Sequence, residues 1–152
     1  MSKTILFLDF DGVLHPFPLG QDDQHFSQIQ YLWKLLDANP FLLVVITSTW
    51  REKYTFTELL ELLKTHGGEK YLDRFIGVTP ILEDPNNYMP GVRQDEIKEW
   101  LSSNDLQLIS YLILDDIEEY FHSNCKNLYL VAGSSGLMKS DVDNLGLWLK
   151  SI

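Results

Sequence analysis

Two acidic pairs stand far apart in the chain, Asp9-Phe10-Asp11-Gly12 and Asp115-Asp116, and each follows an apolar run. A third apolar run ends in hydroxyls and a cation, Thr47-Ser48-Thr49-Trp50-Arg51. If the fold gathers these three ends, four carboxylates share one rim. They cannot all stay ionised without a counter-charge, because like charges raise each other's pKa. A hard divalent cation relieves the repulsion, and Mg²⁺ suits oxygen ligands that leave positions for water and phosphate. Such a rim fits phosphoryl transfer. Asp9 is placed to attack phosphorus and form an aspartyl-phosphate. Asp11, two residues on, is placed to protonate the leaving oxygen and then activate water. A hydroxyl of Thr47 or Ser48 and an Arg or Lys would hold the phosphoryl oxygens.

Each residue also has a plainer reading. Asp9 and Asp11 could be solvated carboxylates in a turn made by Gly12. Asp115 or Asp116 could cap the short segment 117–121. Thr47 and Ser48 could simply end a strand, and the choice between them stays open. Arg51 reads equally as a phosphate contact or as the partner of a surface acid. Arg93 reads as a phosphate clamp or as an ordinary charge near a helix start, where the dipole disfavours a cation. His15 is a candidate lining residue. Trp50 reads as lining a substrate pocket or, with slight preference, as packing at an element end, Trp33, Trp100 and Trp148 as core on helical faces, and Cys125 as a buried or inert thiol.

The elements that must position these groups are legible as alternating patterns. Apolar runs at 5–8, 42–46, 111–114 and 128–131 predict strands buried on both faces, as in a parallel sheet, and 75–78 predicts a shorter one. Ile29, Leu32, Trp33 and Leu36 share a helical face, which Pro40 ends. Thr55 with Glu58 predicts a capping box, with Gly67-Gly68 as the stop. Ile97, Trp100 and Leu101 predict a helix beginning near Arg93. Ser140 with Asp143 is the expected opening of a last helix through Leu145, Trp148 and Leu149. Strands alternating with helices predict an α/β fold, a Rossmann-like parallel sheet with helices on both faces. Ligands in such folds sit beyond the carboxyl ends of the strands.

The 152 residues are expected to form one domain, and 45% hydrophobic residues suffice for a core. A single cysteine excludes an intrachain disulfide and fits a reducing, cytoplasmic setting. The first residues predict neither a signal peptide nor a membrane span. A net charge of −10 without any basic block disfavours nonspecific nucleic-acid or anionic-membrane binding.

The ordered set of motifs resembles the haloacid dehalogenase (HAD) superfamily of hydrolases. Ile5–Leu8 followed by Asp9-Phe10-Asp11-Gly12-Val13 resembles its first motif, and Thr47 or Ser48 its second. Arg93 resembles the third, where Lys is commoner. Leu112-Ile113-Leu114-Asp115-Asp116 resembles the fourth. Asp11–Pro16, Ser48–Arg51, Arg93 ahead of Glu96-Ile97 and Trp100-Leu101, and Gly136-Leu137 further resemble the HAD domain found in nucleic-acid repair proteins. The resemblance implies Asp9 as nucleophile, Asp11 as acid/base, and Mg²⁺ on Asp9, Asp115 and the Asp11 backbone carbonyl, with Asp116 reached through water.

The stretch 14–41 holds one predicted helix, and 52–91 holds a helix, a short strand and a proline-punctuated loop from Pro80 to Pro90. Neither reads as an independent unit, so no large cap domain is expected and the site should be open. The expected function is Mg²⁺-dependent phosphomonoester hydrolysis. Its substrate could be small or macromolecular: a nucleotide, a nucleic-acid end, a sugar phosphate or a phosphoprotein. A catalytically silent interaction module is the alternative. A phospho-acceptor receiver domain fits less well, because its acidic pair precedes its acceptor Asp. Oligomeric state leaves no signal in the sequence.

Overall fold

The computed structural model describes residues 2–82 and 90–152. Among them five strands form one parallel sheet: β1 (Thr4–Leu8), β2 (Leu42–Ile46), β3 (Phe75–Val78), β4 (Ser110–Asp115) and β5 (Leu128–Leu130). Their order is β3-β2-β1-β4-β5. The chain leaves β1 for one side of the sheet and later returns to the other. β1 therefore lies at the point where the winding reverses, and loops on either side part there to leave a crevice.

Among the described residues, four α-helices cover the sheet: α1 (Ile29–Ala38), α2 (Phe56–Leu63), α3 (Val92–Ser103) and α4 (Lys139–Ser151). The strand period of two sorts side chains between the faces. Leu6, Leu8, Val44, Ile46, Leu112 and Leu114 pack with α1, α2 and α4. Ile5, Phe7, Val45 and Ile113 meet Ile97, Trp100 and Leu101 of α3. Both faces are thus apolar and covered, which explains the continuous hydrophobic runs.

Local details follow the expectations with three corrections. The capping box forms, with Glu58 N donating to Thr55 Oγ1 and Thr55 N to Glu58 Oε1. However, α2 ends at Leu63, and a kinked turn at Lys64–Gly68 follows. The last helix does not open on Ser140 with Asp143. Its first turn is tied by Asp141, which accepts from Met138 N at 2.8 Å, while Asp143 pairs with Lys139. Trp148 is only partly buried.

Among the described residues there is no cap domain. Residues 9–28 form turns, and residues 64–74 add only the kinked turn and a 3₁₀ segment. Residues 83–89, most of the expected proline-punctuated loop from Pro80 to Pro90, lie outside the described residues. No helix among the described residues is long and apolar enough to cross a membrane.

Candidate active site

Parallel pairing brings three strand ends level. Leu8 sits beside Ile46 and Leu114, so Asp9, Thr47 and Asp115 emerge together at the carboxyl edge. Asp9, Asp115 and Asp116 each present an oxygen, and these oxygens lie within 4.8 Å of one another. Asp9 and Asp115 are buried. The Asp115 carboxylate divides its work. Oδ1 accepts from Asp116 N at 2.8 Å and Ile117 N at 2.9 Å, fixing the turn after β4. Oδ2 is buried without a hydrogen-bond partner among the described residues, as is Asp116 Oδ1. The capping and clustering readings of Asp115 therefore hold together, one on each oxygen.

Two glycines make room for Asp116. Gly12 has φ +77°, where a side chain is strained, and a Cβ there would collide with the Asp116 carboxylate. A Cβ on Gly133 would stand 2.6 Å from Asp116 Oδ2.

The electrostatics of the cluster are unfavourable without a cation. Asp9 is pushed well above the ordinary carboxylate range, first by burial and then by Asp115, with Arg93 pulling the other way. Asp115 is raised to about 7, again chiefly by burial. Asp116 is raised, with burial the main cause. Buried carboxylate oxygens at close range, two of them without a partner among the described residues, form an all-oxygen donor set that fits a hard cation such as Mg²⁺.

A pH dependence follows. An Asp115 with a folded pKa near 7 and an ordinary unfolded value near 3.8 binds its proton more tightly when folded. Its stabilising contribution is full below about pH 4 and is lost as pH rises through 7, on the order of a few kcal/mol in all. Metal-free protein is expected to lose melting temperature over that window more steeply than Asp115→Asn. Adding Mg²⁺ at pH 7.5 should recover most of the loss. Equal pH slopes for the two proteins in calorimetry would contradict this.

Asp11 behaves in the opposite sense. Burial works to raise it, but hydrogen bonds from His15 and Trp50 outweigh this and hold it below the ordinary range. Phe26 N–H donates to His15 Nδ1 at 3.1 Å, so Nε2 carries the ring proton. That Nε2–H and Trp50 Nε1–H both meet Asp11 Oδ1, at 2.8 and 3.0 Å. His15 is therefore no lining residue: it is fully buried behind Asp11 and fixes that carboxylate's orientation. Trp50 likewise does more than pack.

The cations differ from expectation. Arg51, read as a phosphate contact or a surface ion pair, is neither. It is buried, and its guanidinium donates to the carbonyls of Thr47, Ser48, Thr79 and Pro80 and pairs with Glu96 at 2.8 Å. It braces the loop after β2. Glu96, given no role of its own from the sequence, also pairs with Arg93 at 3.2 Å, so one buried carboxylate joins two buried arginines. Arg93 lies beside the acidic cluster, with Nε 4.0 Å from Asp115 Oδ2 and its guanidinium 4.8 Å from the Tyr120 ring centre.

The neighbouring hydroxyls also separate. Ser48 Oγ accepts from Trp50 N at 3.2 Å and caps the turn there. Thr47 Oγ1 is buried without a partner among the described residues. Thr49, which sequence reasoning passed over, lines a cavity of about 110 Å³ with Asp9, Asp11, Arg93 and Asp116. That cavity admits a group of a few water-sized atoms, the scale of a phosphate.

Comparison with known proteins agrees with this geometry. No curated protein matches the chain. Residues 5–142, running from β1 into α4, match a family described as the HAD domain in Swiss Army Knife RNA repair proteins. That match spans most of the chain, and with the parallel sheet and the acidic cluster at the strand ends, the chain belongs to that HAD family.

Proposed function

We propose that this protein is a Mg²⁺-dependent phosphomonoester hydrolase that works through a phosphorylated Asp9. The observation that carries the reading is the meeting of Asp9, Asp115 and Asp116 within 4.8 Å beside Arg93. Membership of a superfamily generally made of hydrolases supports it.

Asp9, Asp115 and the Asp11 backbone carbonyl would hold the Mg²⁺, with Asp116 alongside, and the bound ion would supply charge neutralisation and Lewis-acid polarisation of the phosphoryl group. Arg93 and the Thr47 hydroxyl hold the remaining phosphoryl oxygens by charge-assisted and neutral hydrogen bonds. Asp9 attacks phosphorus, and the bond to the leaving oxygen breaks. Asp11 supplies the proton that oxygen needs. A phosphate dianion against Asp9 favours protonated Asp11, since like charge disfavours a second anion. Once it has given up that proton, Asp11 is the base that activates water to cleave the phospho-aspartate. His15 and Trp50 keep its carboxylate aimed through both halves.

The description of the matching family, which names RNA repair, bears on the substrate. A phosphorylated RNA end is thereby favoured among the candidates, beside nucleotides, sugar phosphates and phosphoproteins. The test is an aryl phosphate and a broad panel of phosphate esters, with and without Mg²⁺. Turnover should vanish with a chelator and return with Mg²⁺. Absence of turnover on every ester, with no Mg²⁺ binding by calorimetry, would instead support a silent interaction module.

A further inference from the structure

The phosphate-sized cavity has a larger neighbour. A cleft of about 390 Å³ adjoins it, and the two share Asp11, Phe17 and Thr49. Asp9, Arg93 and Asp116 line only the smaller cavity, while His25, Trp50, Lys53 and Tyr54 line only the larger. Asp11 thus stands on the boundary. The group that protonates a leaving oxygen must touch it, so the rest of the leaving alcohol lies on the far side of Asp11, in the larger cleft.

The lining of that cleft is rich in rings. Phe17 is 50% exposed and Tyr54 38% exposed. Large exposed aromatic groups beside a reactive centre are informative, because folding gains little from them. Tyr54 lies 5.8 Å from Trp50 between ring centres, tilted by 31°, and His25 meets Trp50 edge-on at 5.1 Å. Trp50 is itself pinned by its Nε1–H on Asp11. A fixed ring therefore backs a more exposed one. Aromatic side chains of this kind stack on planar heterocycles with little regard to base identity. The cleft falls within the usual size of small-ligand pockets and exceeds what a bare phenol ring would fill. The net charge of −10 provides no cationic track for a long strand, so recognition should stop at one terminal unit.

We propose that this cleft is a leaving-group subsite for one nucleoside, whose base stacks on Tyr54 and Phe17 while its phosphate sits against Asp9. The proposal rests on the phosphohydrolase reading for its chemistry. The nucleoside can come from a free mononucleotide or from the phosphorylated end of an oligonucleotide.

The experiment uses the whole chain with Mg²⁺. It compares adenosine 5′- or 3′-monophosphate, whichever is faster, with ribose 5-phosphate, which keeps the phosphate and sugar but lacks the base. The nucleotide should win in kcat/KM by about fivefold to about a hundredfold, the worth of one base–aromatic stack. Tyr54→Ala and Phe17→Ala should each shrink that ratio, and Tyr54→Phe should keep it. Equal kcat/KM for the two esters in the wild type, or a ratio unmoved by both alanine variants, overturns the subsite and leaves the phosphohydrolase reading standing. Calorimetric binding of the same compounds separates the reverse case. Base-dependent binding without turnover supports the subsite and removes the phosphohydrolase reading, whereas neither turnover nor base-dependent binding overturns both. An end-phosphorylated dinucleotide turned over faster than the mononucleotide supports the subsite with a strand end as source. The opposite ranking supports it with a free nucleotide as source.

Discussion

Asp9→Asn is expected to lower turnover of an aryl phosphate by on the order of 10⁴-fold or more, and to raise the melting temperature of the metal-free protein. Asn keeps the size of Asp but cannot attack phosphorus as an anion. The loss should appear in kcat as well as in kcat/KM, because the nucleophile acts in the transition state. The gain in stability has a separate cause. Asp9 is buried against Asp115 and Asp116, and its raised pKa records the cost of ionising it there. A neutral amide removes one charge from that cluster. For a chain of this length each kcal/mol is worth about 2–4 °C. Opposite movement of activity and stability is characteristic of a functional carboxylate. A merely structural Asp9 would lose both on substitution.

The largest expected loss of stability comes from Glu96→Ala, at about 3–5 kcal/mol. Glu96 is fully buried and bridges Arg51 at 2.8 Å and Arg93 at 3.2 Å. Its Oε2 also accepts from Leu82 N at 3.0 Å. Removing the carboxylate leaves two guanidinium groups buried without their shared counter-charge. Desolvating an unpaired charge costs far more than an exposed ion pair contributes. Arg51 braces the loop behind Thr47 and Ser48, and Arg93 stands beside Asp115, so the damage should reach the site as well. A melting temperature lower by roughly 6–20 °C is expected by calorimetry. Melting within about 2 °C of the wild type would contradict this account of the triad.

Much of the site was legible because its carboxylates sit at strand ends. An apolar run followed by Asp9-Phe10-Asp11-Gly12 has one natural reading in a parallel sheet, and Leu114-Asp115-Asp116 repeats it. Register then makes the two ends level without further information. Arg51, Glu96 and His15 were less legible because chain position does not reveal a side chain's partner. Arg51 follows the hydroxyl-bearing strand end, where a phosphate contact is reasonable, yet its reach is taken up by four carbonyls and Glu96. For Glu96 a signal existed. Arg93, Glu96, Ile97 and Trp100 recur at helical spacing, which puts the two charges on the buried face of α3. His15 is tied to Asp11 by a turn whose geometry depends on Phe26, eleven residues later. The aromatic cleft was hidden for a related reason. Its rings come from two separate segments, 17–25 and 50–54, which meet only in the folded chain.

The central claim is that one carboxylate of the acidic cluster becomes phosphorylated. The most direct measurement is rapid acid quenching during turnover of a reactive aryl phosphate with Mg²⁺, followed by peptide mass spectrometry. One added phosphoryl group is expected on the peptide carrying Asp9, absent when Mg²⁺ is chelated and absent in Asp9→Asn. Steady turnover with an unmodified Asp9 peptide, or with the group on another residue, would contradict the account.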